Sequence, residues 1–438
     1  MTSYHAAATR SSVGIAPGFF EKAMVTMTLF IGTGAVLLLF RLPDPQGDPW
    51  AGSDQDPLVR GIWLALYLVM LIVVAPHWRE VLALMRGNIW IPAMLMLVVL
   101  SAAWSAVPAL TFRRGVAIDL GAIYGYYLAV RFTTKQVVDL LAIVLAVALL
   151  LSLVFVIFLP SYGVYQDIFR GSTWRGVFIQ KNPLGRNAAL GIVVFLVLRQ
   201  YHHRRLVAVS LTVLAGVLIV GSASTTALIA ALVCALLALG VPVIRRLGGQ
   251  TAFGLAAVII SVAIGIAAFG LGITGAKVQH GALSALGKDS TLTDRTSVWD
   301  AVPPEIAKKP LLGYGVSGFW RGWSGPGSSD VWRQISWHPA HSHNGYLDLT
   351  LALGFVGLGI FALGLLTIST QTARLGFRQW RPDTAWPLLF LPFLLVESAA
   401  ENVLVQPNSI YWILYVFTAA SVGRQSSARR DAEQHVAH

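Results

Sequence analysis

Apolar stretches close to twenty residues long recur along this chain, joined mostly by short loops. About twenty apolar residues in a helix cross the roughly 30 Å hydrocarbon layer of a bilayer, and a helix satisfies its own backbone there. The expected spans are 23–40, 61–76, 89–106, 115–130, 137–159, 187–198, 206–221, 226–244, 251–273, 345–369, 385–400 and 409–423. That makes about twelve transmembrane helices, with 221–226 (GSASTT) as a tight link between two of them. Composition excludes the soluble alternative. Hydrophobic residues make up 56% of 438 positions and charged residues 12%, with mean hydropathy +0.68. A soluble chain carries roughly 25% charged residues, so this one cannot coat a water-facing surface of its size. The expected fold class is an all-α integral membrane protein.

The net charge is +12. Lys and Arg concentrate in alternate short loops, at Arg79 and Arg86, Arg131 and Lys135, Arg199 to Arg205, Arg245 and Arg246, and Arg374 to Arg381. That is the signature of the cytoplasmic side, and it makes nucleic acid unnecessary as an explanation of the charge. The expected division is 1–22 as a cytoplasmic N-terminus, 23–273 as helices one to nine and 274–344 as a large outer loop. Residues 345–423 follow as the last three helices, and 424–438 as a cytoplasmic tail. The outer loop is long enough for a small helical subdomain. Residues 1–22 hold no apolar core with a cleavage site, so the first helix is expected to insert uncleaved. A single cysteine, Cys234, excludes an intramolecular disulfide, a Cys-based zinc site and an iron–sulfur cluster.

Three outer segments break the charge rule: Arg113–Arg114, 160–186 and 274–344. In the second, Arg170, Arg175, Lys181 and Arg186 alternate with Gly171, Gly176 and Gly185. Guanidinium forks bind oxyanions bidentately, glycine admits close backbone approach, and Arg186 is expected to open a helix whose N-terminus favours anions. The bland alternative is that these cations snorkel toward lipid headgroups. In the third, Ser290, Thr291, Thr293 and Asp294 offer N-caps to a helix starting near Arg295. Arg295 would face an anion there, or simply pair with Asp294 or Asp300. Then His338, His341 and His343 cluster with Asn344 before a membrane helix. Histidine is the usual base near neutral pH. The spacing also fits a metal site, although the sequence offers no nearby Cys or Glu to complete it. Gly354 and Gly357 are expected to let another helix pack closely. Of the acids in apolar surroundings, Asp119 is expected to pair with Arg114, and Glu397 and Glu401 flank the last outer turn.

With these residues in place, the chain resembles the O-antigen ligase family, within the wider ligase/polymerase superfamily. The resemblance rests on His343-Asn344, nine residues, Gly354, two residues and Gly357. TLTDRTSVW around Arg295 and RGVFIQKNPLG around Lys181 add to it. The helix order and a large late outer loop fit along nearly the whole chain, and the N-terminal third matches in hydropathy alone. The resemblance implies a GT-C-like glycosyltransferase facing the periplasm of a Gram-negative inner membrane. It would move O-antigen from undecaprenyl pyrophosphate to lipid A–core oligosaccharide, by inversion, with no cofactor and no metal. It also implies roles. His343 takes the proton of the acceptor hydroxyl. Arg295, Arg175, Lys181, Arg186 and Arg170 hold the pyrophosphate, and His338, His341 and Asn344 support the base or the acceptor. An O-antigen polymerase shares the topology, and a protein O-oligosaccharyltransferase shares the His-Asn signature. A lipid-linked oligosaccharide flippase would need polar groups spread through the spans, whereas here they gather at one face.

Reporter fusions at Gly249 and Ser328 are expected to report opposite sides of the membrane. The same side for both would remove the twelve-span arrangement.

Overall fold

The computed structural model describes residues 17–35, 57–167, 171–199, 205–246, 293–335, 337–375 and 381–437. The first helices in chain order are α1 (Phe19–Gly32), α2 (Pro57–Val74), α3 (Trp78–Met85), α4 (Trp90–Leu100), α5 (Pro108–Arg131) and α6 (Thr134–Phe158). After a short β-hairpin come α7 (Lys181–Leu198), α8 (Arg205–Ser222) and α9 (Thr225–Arg246). Then follow α10 (Thr293–Lys308), α11 (Pro326–Gln334), α12 (Gly345–Leu375), α13 (Pro382–Ser398) and α14 (Ile410–Ala437). A helix answers each expected span that falls on described residues. The span at 251–273, and the end of the first span, lie outside them.

Among the described residues, four helices are long and apolar enough to cross a membrane: Pro57–Met85, Thr134–Phe158, Arg205–Ser222 and Gly345–Leu375. This is a membrane protein. The helices that fall short of that measure include the central ones. Nearly every residue of α7 from Leu184 to Leu198 is buried, as are α13 apart from Asp383 and Thr384 and the first half of α14. The apolar windows of α6 and α8 bury only 33% and 28% of their residues. A peripheral helix must be apolar toward lipid, whereas a central one meets protein on every side and tolerates polar residues. The shared core holds Trp386, Phe390, Phe393, Tyr124, Tyr127 and Tyr415. At the basic end of the bundle, the Arg131 guanidinium (2.8 Å) and the Tyr127 hydroxyl (2.6 Å) both donate to Glu21, tying α1 to α5.

The all-α expectation misses one element. Strands β1 (Val164–Asp167) and β2 (Gly171–Trp174) pair antiparallel, Val164 opposite Trp174 and Asp167 opposite Gly171. Four-residue strands are too short to show a period against the surrounding apolar runs.

The described part of the 274–344 segment is helical and has its own core. Val298, Val302, Ile306, Phe319 and Val331 pack together with Leu347 and Leu351 of α12. The subdomain therefore sits on the start of α12, and there α12 is broken. Gly354 adopts φ 66°, ψ −169°, a region open essentially to glycine alone. The segment after α10 fills the gap with its backbone. Tyr314 and Gly315 N–H donate to the Leu351 and Ala352 carbonyls at 2.8 and 2.9 Å, and Phe355 N–H donates to the Pro310 carbonyl at 2.8 Å. A Cβ on Gly354 would overlap the Leu311 carbonyl, and one on Gly357 would overlap Leu353 of its own helix. The two glycines thus serve this break rather than the helix–helix contact expected of them.

Gly354→Ala is expected to destabilise the protein by at least about 1–3 kcal/mol, from backbone strain alone. Gly359→Ala, where an added Cβ meets nothing within 4 Å, is expected to be neutral or slightly stabilising. Thermal unfolding in detergent checks both, and equal melting temperatures for the two variants would contradict the break.

Candidate functional site

At one end of the bundle, three segments far apart in sequence converge on Glu401, in the turn between α13 and α14. Its Oε1 accepts hydrogen bonds from Arg295 Nη2 and Asn182 Nδ2, each at 2.8 Å, and its Oε2 lies 3.9 Å from His343 Nδ1. Arg295 stands in the first turn of α10, and Asn182 is the second residue of α7. Arg186, a turn further along α7, lies over the Tyr411 ring at 5.1 Å, within electrostatic reach of Glu397 and Glu401. Helix α7 begins at Lys181 rather than at Arg186, because the apolar run that marked its start lies one turn inside its N-terminus. The N-terminal dipole therefore belongs to Lys181 and Asn182.

His343 occupies the left-handed region at φ 53°, which is costly for a histidine and persists only when its surroundings impose it. The imposition is visible. Ser342 N–H donates to both carboxylate oxygens of Asp348, at 3.0 and 3.2 Å, and Trp299 Nε1 donates to the Ser342 carbonyl at 2.9 Å. The Asn344 side-chain oxygen accepts from the N–H groups of Tyr346 (3.0 Å) and Leu347 (3.2 Å), capping α12. His343 N–H donates to His341 Nδ1 at 3.1 Å, and the two rings lie 4.0 Å apart. Burial, then His341 and Arg295, push the His343 imidazole well below its ordinary 6.5. It is neutral at pH 7 and able to take a proton. Its Nδ1 is buried and bonds to nothing.

The structure gathers Arg295, Arg186, His341 and His343 near one carboxylate, with Lys181 beside Asn182 in the chain. It places the others elsewhere. The Arg175 Nε donates to the Tyr162 carbonyl at 2.7 Å, its guanidinium 6.0 Å from the Tyr165 ring, beneath the hairpin. Burial there lowers its pKa. His338 packs between Trp323 and Trp332, with ring separations of 5.2 and 4.6 Å. Asn344 is a helix cap. Arg170 lies outside the described residues.

Two expectations about pairing change. Arg295 bonds Glu401, 106 residues away in sequence. Asp119 makes no ion pair among the described residues, and its Oδ1 is buried without a hydrogen-bond partner. Residues five apart lie on different faces of a helix, so Arg114 does not reach it. Asn182 was legible only as part of the KNPLG stretch. Glu401 was legible as an acid in a polar turn, but nothing local tied it to His343.

Glu401 also supplies the acid that the sequence did not offer a metal. Ligand atoms of His341, His343 and Glu401 lie within 4.8 Å of one another. The Arg295 guanidinium occupies one oxygen of that carboxylate and sets a fixed positive charge beside the trio, which opposes a divalent cation.

Comparison with known proteins agrees with the motifs. The family model described as O-antigen ligase matches residues 210–362, which include Arg295 and the whole His343–Gly357 pattern. The chain is 27% identical over 377 residues to the exopolysaccharide production protein ExoQ of Rhizobium meliloti (strain 1021), covering 83% of this chain and 81% of that protein. It is 26% identical over 121 residues to a putative polysaccharide ligase of Rickettsia conorii, 27% of this chain and 28% of that one. Residues 210–362 are thus similar to the O-antigen ligase family.

Because the folded pKa of His343 lies below the unfolded one, the unfolded chain binds the proton first as pH falls. His343 therefore costs stability below pH 6.5 and nothing well above it. Magnetic resonance of labelled histidines is expected to show His343 still neutral at pH 6.5, and Arg295→Met is expected to move its titration upward. A parent His343 that titrates at or above 6.5 would contradict the geometry.

Proposed function

We propose that this chain is a glycosyltransferase that moves O-antigen polysaccharide from undecaprenyl pyrophosphate to lipid A–core oligosaccharide. It works at the periplasmic face of a Gram-negative inner membrane, with both termini cytoplasmic. The observation that carries this reading is a neutral histidine and two arginines gathered around one carboxylate, inside a chain whose residues 210–362 are similar to the O-antigen ligase family.

In the proposed reaction the acceptor hydroxyl attacks the anomeric carbon from the face opposite the pyrophosphate. The new C–O bond forms as the bond to the phosphate oxygen breaks, and configuration inverts. His343 takes the hydroxyl proton. Polyprenyl pyrophosphate leaves with the electron pair, and fixed cations stabilise its growing charge. Arg295 spends one N–H on Glu401, and its five-donor fork leaves others for phosphate oxygens. Arg186 and Lys181 complete the cradle, while Asn344 positions His343 by capping α12. Arg175 and His338, held against Tyr162 and between Trp323 and Trp332, stay outside that cradle. No cofactor or metal takes part.

ExoQ, matched over 83% of this chain, favours a second reading in which the chain extends an exopolysaccharide and the acceptor is another lipid-linked glycan. Purified protein offered polyprenyl-pyrophosphate glycan with either lipid A–core or a second lipid-linked glycan separates the two readings. Glycosylation of lipid A–core is the expected result, and chain extension alone would select the second reading.

Removing a general base costs about 10²–10⁴-fold in rate, so His343→Ala is expected to lose transfer on that scale with donor binding retained. Arg295→Lys keeps the charge but not the fork and is expected to fail as well. Transfer by the parent is expected to survive excess EDTA. Near-normal transfer by either variant, or activity restored specifically by a divalent cation, would contradict the assignment.

A further inference from the structure

The reaction centre uses arginines and a histidine and leaves the tryptophans around them unassigned. Most of these are spent on packing. Trp299 and Trp332 are each 5% exposed, and Trp320 Nε1 donates to Asp348 at 2.8 Å. Trp323 is 59% exposed. Its ring stands 5.2 Å from that of Trp332, at 87°, and 5.2 Å from that of His338, at 68°. His338 is itself exposed. A single exposed indole needs no explanation, but the turn that presents this one is fixed.

Trp323 lies in a 3₁₀ turn, Gly322–Ser324. The turn opens with Gly322 at φ 60°, a region that glycine adopts at no steric cost. The buried Ser328 hydroxyl donates to the Gly322 carbonyl at 2.7 Å and accepts from the Arg321 N–H at 3.2 Å. The Ser324 hydroxyl donates to the Arg321 carbonyl at 2.7 Å. The neighbourhood is that of a water-facing surface rather than a lipid-facing one. Arg333, next to Trp332, bonds Asp330 at 3.0 Å with both side chains exposed, and Lys308 reaches the same carboxylate at 3.3 Å. Trp337, the neighbour of His338 in the chain, brings its ring to 5.5 Å from His343. A run of rings, His343, Trp337, His338 and Trp323, thus leads from the reaction centre to open surface.

We propose that Trp323 is a stacking platform for a pyranose ring of the glycan, a few sugars away from the bond being made. The assignment rests on the reading above that the chain transfers polysaccharide. One face of a pyranose is a layer of C–H bonds and its rim carries hydroxyls, which suits a flat indole with polar groups at its edge. The His338 imidazole and the Ser324 hydroxyl, both exposed beside Trp323, supply those groups. The arginines near Glu401 recognise phosphate and not sugar, so the glycan beyond the reacting bond needs a surface of different chemistry to set its direction. Binding energy gained at such a remote contact can be used to raise the rate at the reacting carbon.

The test uses the full-length protein in detergent and two soluble probes, core oligosaccharide freed from lipid A and O-antigen polysaccharide freed from its carrier. Trp323→Ala removes an exposed ring and is checked for parent-like melting, and Trp323→Phe keeps a ring. Saturation-transfer magnetic resonance is expected to show the parent binding one of the probes. Trp323→Ala is expected to weaken that probe by at least about tenfold, equivalent to about 1.4 kcal/mol, and Trp323→Phe to recover most of the loss. The probe that responds identifies the stacked sugar as the acceptor's or the donor's. In transfer assays the Trp323→Ala defect is expected with the full-length glycan and to vanish once that glycan is cut back to its reacting sugars. An equal defect at every glycan length would make Trp323 a structural residue and overturn the proposal. Parent protein that binds neither probe, or Trp323→Ala binding both like the parent, would overturn it too. Weaker retention of phosphatidylglycerol by Trp323→Ala, with glycan binding unchanged, would make the indole an interfacial anchor instead. Since probe binding needs no turnover, glycan held at Trp323 by a parent that transfers nothing would sink the proposed reaction and leave the platform standing.

Discussion

Everything at the working end of this molecule depends on one carboxylate. Glu401 holds Arg295 and Asn182 at 2.8 Å and faces His343 at 3.9 Å. These groups come from three separate parts of the chain and meet where α7, α10 and the turn after α13 come together. A charge-assisted hydrogen bond contributes about 1.5–3 kcal/mol. Removing one member of a buried charged pair costs more, because the other charge is left in a poor solvent. Glu401 is 8% exposed, so the pair stands close to that regime. It holds an arginine fork and a histidine in fixed relation, which is the condition that the proposed electrostatic stabilisation of a leaving pyrophosphate requires.

The second requirement is a rigid platform for His343, and the break in α12 helps to supply it. The backbone of 310–315 completes the hydrogen bonding of the broken helix and so pins the small subdomain to the bundle. About two turns before the break Asp348 fixes Ser342, and about three turns before it Asn344 caps the helix. Between those two anchors His343 has no freedom to relax from φ 53°. The His-Asn pair and the two downstream glycines are therefore one mechanical unit: a held histidine, a cap, and a break that lets the next segment lock in.

Much of this was legible in the sequence. Apolar runs near twenty residues located the helices, since membrane burial leaves a long one-dimensional signal. Arg295, His341 and His343 were legible because they fall where the loop charge rule fails. The rest is hidden for physical reasons. The pairing of Arg295 with Glu401 spans more than a hundred residues and follows from helix packing, which local patterns do not encode. Asn344 looked like a partner for substrate but is spent on two backbone N–H groups. Gly354 looked like a packing glycine, and only its φ of 66° shows a helix interrupted. Arg175 carried the right charge and spacing, yet its Nε is held by the Tyr162 carbonyl beside the Tyr165 ring rather than by the Glu401 cluster.

The most direct test of the central claim is an experimental structure with undecaprenyl pyrophosphate, the product proposed to leave this site. The account predicts its phosphate oxygens within hydrogen-bonding distance of the Arg295 and Arg186 guanidinium groups, with His343 facing the open side of the terminal phosphate. Pyrophosphate bound away from these groups, with the Glu401 cluster empty, would contradict it.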